Sequence, residues 1–226
     1  MKPAVHPQDR PMELPLTIPT GGALRPSALR SLILKRASAG LNRNREAESP
    51  LVVAVNGRSA SGKSTLAKAL ADEQGWAAVA TDDVAWWHSF FGWSNLLIDG
   101  VLRPARRGEE VSYRPPAWEE RSRTGAIHVP KGTAVLVIEG VGASRLELMP
   151  FIDYSIWLKT DLPLINRREA ERAKQGEVTR ELQQEWMAEE FPFLDHDKPW
   201  ARADLILTAH AVQPACYQEL LVEVSL

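Results

Sequence analysis

The sequence predicts a three-layer α/β fold, with a central, mainly parallel sheet, helices on both faces and a helical lid. Three observations predict it. Short, largely apolar runs recur at residues 51–55, 76–80, 134–138 and 154–158, the pattern of strands buried on both faces. Stretches of helical pattern follow the first and the fourth of them, as crossover connections require. Two of the runs end directly in acids: Asp82 and Asp83 follow the second, and Glu139 with Gly140 follows the third. In an open parallel sheet that edge is where ligands collect. At 226 residues the chain suits one sizeable domain with a full apolar core.

Taken in order, residues 1–48 read as an N-terminal arm and a short basic helix, ahead of a main domain at 49–226. Pro3, Pro7, Pro11, Pro15 and Pro19 space the arm and prevent regular helix. From Ser27 the pattern changes: Leu29, Leu32 and Ile33 share an apolar side, Arg30, Lys35 and Arg36 a basic one, and Gly40 ends the helix. Such a helix either lies across the sheet with its charges in water or presents them to a partner or membrane surface.

Residues 51–70, LVVAVNGRSASGKSTLAKAL, carry the strongest signal. An apolar strand runs into a loop opened by Gly57 and closed by Gly62, Lys63 and Ser64, and a helical pattern of Leu66 and Leu70 follows. Gly, four residues, Gly, Lys and Ser or Thr is the P-loop signature. Glycine permits backbone turns that a Cβ would penalise, so the amides of Ser59, Ala60, Ser61 and Gly62 converge on one point. The N-terminus of the following helix adds its partial positive charge there. This predicts an ATP site. Lys63 reaches the β- and γ-phosphates, Ser64 offers its hydroxyl to Mg²⁺, and Thr65 is a neighbouring hydroxyl of the same kind.

The second strand delivers Asp82 and Asp83 to the same edge. One of them is expected to accept a proton from an attacking hydroxyl while the other orders a metal-bound water or caps a helix. Glu139, at the end of the third run, is a second metal candidate, because Mg²⁺ keeps much of its hydration shell and needs few protein oxygens. The fourth run leads to Arg167, Arg168 and Arg172 on neighbouring parts of one helix, which read either as a phosphate clamp or as salt-bridge partners of Glu169 and Glu171. With Gly176 as a break and a helical stretch to Glu190, residues 165–192 form the expected lid.

Composition limits the function classes. The formal charge of −2 gives no whole-chain reason to expect nucleic acid. One cysteine, Cys216, excludes an internal disulfide, and no apolar run approaches membrane-spanning length. The expectation is a cytoplasmic protein acting on a small-molecule alcohol, without a nucleic-acid or membrane partner and with homo-oligomerisation left open.

The order of these motifs resembles the uridine kinase and phosphoribulokinase branch of P-loop kinases. NGRSASGKSTLAKAL is similar to that branch's nucleotide-binding segment, TDDV to its strand-end acidic motif, VLVIEGVG to its Glu-Gly strand end, and DLPLINRREAER to its lid helix. VSYRPPAWEERSR resembles its substrate segment more loosely. The resemblance implies Lys63 and Ser64 on ATP and Mg²⁺, Asp82 as base, Glu139 near metal, phosphate-facing Arg167, Arg168 and Arg172, and Tyr113 as a substrate contact. The chain departs from the branch after the catalytic acid, where Asp83, Val84 and Ala85 stand, and after Tyr113, where Arg114, Pro115 and Pro116 follow. In place of those features it carries Trp86, Trp87, His88, Phe90, Phe91, Trp93 and Trp118. They form either a binding wall for a ring, oriented by His88 or Arg114, or part of the core. The substrate segment therefore spans about 84–125. These readings predict an ATP-dependent kinase for a nucleoside-like or other small metabolite. The alternative is a P-loop ATPase or nucleotide switch acting on a partner protein.

Overall fold

The computed structural model describes residues 26–39, 48–176 and 178–209 and, as backbone alone, 222–225. The proline-spaced arm and Cys216 lie outside them. In chain order the elements begin with α1 (Pro26–Ala39), β1 (Leu51–Gly57), α2 (Lys63–Ala71), β2 (Trp76–Ala80) and α3 (Thr81–Ala85). A long connecting segment follows: α4 (Ser94–Leu97), a π-helical turn (Ile98–Leu102), α5 (Arg103–Arg106), β3 (Val111–Tyr113), α6 (Pro116–Glu120) and β4 (Ile127–Val129). The chain returns to the sheet with β5 (Val135–Glu139) and β6 (Tyr154–Thr160), forms α7 (Leu162–Lys174) and α8 (Arg180–Asp197), and ends with β7 (Leu205–Ala209) and β8 (Val222–Ser225).

The main sheet has the order β2-β5-β1-β6-β7-β8. Its first five strands are parallel and β8 pairs antiparallel with β7, so the sheet is mainly parallel as the sequence predicts. Successive residues of a strand face opposite layers. Val53 and Val55 pack with Leu66 and Leu70 of α2 and with Leu29 and Ile33 of α1. Val52 and Ala54 pack on the other side with Trp93, Leu97, Val101 and Trp118 of the connection between β2 and β5. Three layers result.

Two expectations about local structure change. Trp76–Ala80 forms the predicted strand, yet it is not buried on both faces: Ala78 is exposed and Trp76, Ala77 and Ala80 are half-buried. The cause is position, because β2 is an edge strand paired with β5 alone. The basic helix resolves in favour of packing. Leu29, Ile33 and Ala37 are buried in the main core, and Arg30 donates to the Ala69 carbonyl at 2.9 Å and pairs with Glu73 at 3.0 Å.

The functional end of the sheet depends on one close approach. Gly140 follows β5 with φ +148°, and a Cβ built there would lie 1.7 Å from Thr81 Oγ1 and 2.8 Å from Thr81 Cβ. Thr81 is itself buried. Gly140→Ala is therefore expected to destabilise the fold by about 2–5 kcal/mol, combining overpacking with backbone strain. Urea denaturation checks this, and a loss under about 0.5 kcal/mol, the size of an ordinary surface change, would show that the two turns separate freely.

Candidate active site

β1, β5 and β2 present their carboxyl ends side by side, and the register fixes what meets there. Glu139 is level with Val55 on one side and Ala80 on the other. The loop after β1, the acid at the end of β5 and the turn carrying Asp82 thus share one edge. The order of the strands reverses at β1, which makes this edge the topological switch point.

The loop has the backbone of an anion cradle. Ala60 and Gly62 both adopt positive φ, +56° and +104°. At Gly57 a Cβ would meet Leu158 O at 2.7 Å and Ser61 Oγ at 2.8 Å, so the loop's tight entry excludes a side chain. Gly62 caps α2 without a side-chain hydrogen bond, which leaves the helix's first amides for a ligand. Asn56, fully buried, ties the loop to the turn after β5. Its Oδ1 accepts from Gly57 N at 2.7 Å and Gly142 N at 3.0 Å, and its Nδ2 donates to Ser144 Oγ at 2.9 Å.

Charged groups converge on that cradle. Lys63 is buried and donates from Nζ to the Arg58 carbonyl at 2.7 Å. Burial holds its pKa below the ordinary lysine value, while Glu139, Asp82 and Glu190 lie near enough to oppose the shift and Arg172 adds to it. Glu139 is buried as well; burial raises its pKa, and a hydrogen bond from the Ser64 hydroxyl together with the Lys63 charge pulls the other way. Ser64 and Thr65 are exposed at the start of α2. One hydroxyl and one carboxylate, hydrogen-bonded to each other beside an amide cradle, are the hard oxygen donors that suit partly hydrated Mg²⁺. Among the described residues no group of three or more His, Cys, Asp or Glu is placed to hold a metal by itself.

The two acids after β2 separate. Both sit in the first turn of α3, so the strand ends in a helix start and not in a loop. Asp82 is exposed and acts on the charges of both Lys63 and Glu139. The charge of Asp83 also bears on Glu139, but its carboxylate accepts from Arg123, and its carbonyl accepts from Trp118 Nε1 at 2.9 Å. Ion pairing to Arg123 engages Asp83 and opposes the metal role expected of it.

The three arginines of α7 also divide. Arg168 Nη1 donates to the carbonyls of Ala60 and Ser61 at 3.0 and 2.9 Å, bracing the loop from its carbonyl side. Arg172, one turn later, bears on Lys63. Arg167 is exposed; a rotation of about 100° per residue carries it off the face that Arg168 presents to the loop. Helix geometry thus places two of the three near the cradle.

The expected substrate residues fare unevenly. Trp87 is 65% exposed with φ +55°, and Arg121 stacks over its ring at 3.8 Å. His88 is exposed beside it. Tyr113 is half-buried with its ring against Gly100, where a Cβ would lie 2.4 Å away, and it lines a groove with Asn95, Asp99 and Glu110. Arg114 is a clasp: it donates to Glu119 and to the carbonyls of Gly125 and Arg123, fixing the turn after α6. With those donors engaged inside its own hairpin, it is not an orienting group for a ligand. Trp118 is buried, and its face supports Arg123 at 3.6 Å. Trp93 is buried in the core. Phe90 and Phe91 pack with Trp186 at ring distances of 5.2 Å, and Phe91 stacks on Phe193 at 4.4 Å. They form a seam with α8, not a wall for a ring.

Three site residues escape sequence reasoning. Asn56 and Arg123 each take one deciding partner, Ser144 and Asp83, from at least 40 residues away. Glu190 is fully buried and accepts from Ser59 N at 2.7 Å, across a separation of 131 residues. The burial of one acid among the many on α8 has no local signal.

No protein-family model matches the sequence, and no curated protein matches it. Solved structures do. A possible uridine kinase from Bacillus stearothermophilus superposes with a TM-score of 0.54 at 22% identity, covering 80% of this chain and 96% of that one. A proposed fructose transport system kinase from a Silicibacter species gives 0.54 at 20% identity over 80% and 95%. The fold is that of the P-loop kinases. D-glycerate 3-kinase from Cryptococcus neoformans, at 12% identity and the same TM-score of 0.54, covers 83% of this chain and 96% of its own. At these identities the P-loop kinase likeness establishes architecture, and chemistry has to be argued from the residues. Among the described residues no helix is long and apolar enough to cross a membrane.

Proposed function

We propose that the protein is a small-molecule kinase that transfers the γ-phosphoryl group of ATP to an alcohol of a nucleoside-like or other small metabolite. The observation that carries this reading is the convergence of Lys63, Glu139 with Ser64, and Asp82 on one amide-lined loop. Magnesium, held by Ser64 and Glu139, would supply charge neutralisation for the triphosphate.

The residues of the chain have distinct tasks. The amides between Gly57 and Ser64 and the Lys63 ammonium hold the β- and γ-phosphates and oppose charge that builds on their oxygens. Asp82 orients the acceptor hydroxyl and takes its proton as the new O–P bond forms and the bond to the β-phosphate bridging oxygen breaks. Arg172 adds positive charge from the lid, and Arg168 keeps the loop in shape. For the acceptor, the exposed face of Trp87 and the guanidiniums of Arg121 and Arg123 border the Asp82 turn. An exposed indole paired with arginine suits a flat or polar small molecule.

The test is ATP consumption against nucleosides, sugars and hydroxy acids, with the phosphorylated product identified. Consumption that depends on one acceptor class supports the kinase reading. Hydrolysis at the same rate with no acceptor would replace it with an ATPase.

A further inference from the structure

We propose that Glu190 is an internal anion that occupies the phosphate cradle, so that polyphosphate enters only as α8 withdraws it. The inference rests on the nucleotide reading above for what the cradle takes.

The Glu190 side chain is fully buried, and its Oε1 accepts from Ser59 N at 2.7 Å, inside the loop that the P-loop signature assigns to phosphate. Carboxylate and phosphate oxygens make the same demand on that amide. Lys63 lies within reach of the Glu190 charge, as it must of a bound phosphate. A carboxylate and a polyphosphate on the same donors would repel each other in a site with little water to screen them.

The contact is also incompletely satisfied. Glu190 Oε2 and Arg58 Nε are buried with no hydrogen-bond partner, and Arg58 Nη2 stands 3.7 Å from Oε2. A buried carboxylate with a purely structural role is expected to be fully hydrogen-bonded, because an orphaned polar atom there costs about 1–3 kcal/mol. Withdrawal of Glu190 and entry of a better-fitting anion would relieve that deficit.

The helix is built to allow it. C-terminal to Glu190, α8 is anchored: Leu194 is buried, Asp197 accepts from Leu146 N at 3.2 Å, and Phe193 stacks on Phe91. N-terminal to it, most residues from Arg180 to Glu189 are exposed, and that part is held by Trp186 on Phe90 and Phe91 and by a hydrogen bond from Gln183 Nε2 to Glu169 Oε2 at 2.9 Å. Pro192 sits between Glu190 and the anchor. Its missing N–H removes a hydrogen bond of the helix ladder and weakens the helix at that point. Withdrawal of Glu190 thus bends α8 near Pro192 and lifts Trp186 from Phe90 and Phe91, while the part from Phe193 onward stays on the core.

Calorimetric binding of tripolyphosphate and of Mg-ATP to the full chain tests this, comparing wild type, Glu190→Gln and Lys63→Ala. If a closed form reduces the competent fraction, removing the carboxylate's charge raises affinity for both probes by about tenfold or more. In wild type, hydrogen exchange across residues 186–194 should quicken when tripolyphosphate is added, a readout that needs no variant. Equal or weaker binding by Glu190→Gln, or exchange that slows or stays constant, overturns the gate. If Lys63→Ala still loses binding in that case, the cradle stands without it. Binding by none of the forms, or binding indifferent to Lys63, overturns the gate and the nucleotide reading together.

Discussion

Lys63→Ala is expected to lower kcat by about a thousandfold or more and to leave the chain folded. The first half follows from position. Lys63 is the buried cation at the mouth of an amide loop, with Glu139, Asp82 and Glu190 near it. The second half follows from its titration. Burial holds the pKa of Lys63 below its ordinary value even with three acids nearby, so the folded state is a poorer host for the charge than water is. Removing the ammonium costs the fold little. Single-turnover kinetics with an identified acceptor, together with thermal unfolding, separate the two effects. Turnover within tenfold of wild type would show that the triphosphate lies elsewhere, and a collapsed fold would show that Lys63 is chiefly structural.

Asp82→Asn is the second large effect, expected to cut kcat by about a hundredfold to ten thousandfold, the span of general-base contributions. Asp83→Asn makes the contrast. Asp83 is tied to Arg123, whose guanidinium lies on Trp118 and near Trp86, so its loss should loosen the connection between β2 and β5, where the acceptor is proposed to bind. The expected signature is a raised acceptor KM with kcat reduced less than about tenfold, because binding is disturbed and the proton acceptor is not. Steady-state kinetics on both variants decide the assignment. A larger kcat loss in Asp83→Asn would exchange the roles of the two acids.

The parts of this site that were legible in sequence are those whose physics is local. A glycine-framed loop between an apolar run and a helix has only local requirements, so Gly57, Lys63 and Ser64 are readable from spacing alone. The acids after β2 and β5 are readable because they end apolar runs. What sequence could not supply is neighbourhood. The same Trp76–Ala80 pattern serves an edge strand or a central one, and only pairing with β5 decides. Asp82 and Asp83 are adjacent in the chain, yet successive helix positions point about 100° apart, one towards Lys63 and one towards Arg123. The same rotation separates Arg167 from Arg168. Aromatic residues bury well in either a core or a ligand wall, so the composition of 86–93 could not say that Phe90 and Phe91 meet Trp186. Glu190 is the extreme case, an acid on an acid-rich helix whose meaning comes wholly from Ser59.

A crystal structure of the full chain with Mg²⁺ and a non-hydrolysable ATP analogue tests the central claim most directly. The account predicts β- and γ-phosphates between Gly57 and Ser64, with Lys63 on them, Glu139 and Ser64 at the metal, and Glu190 off Ser59. An analogue bound elsewhere, with the Glu190–Ser59 hydrogen bond intact, would contradict it.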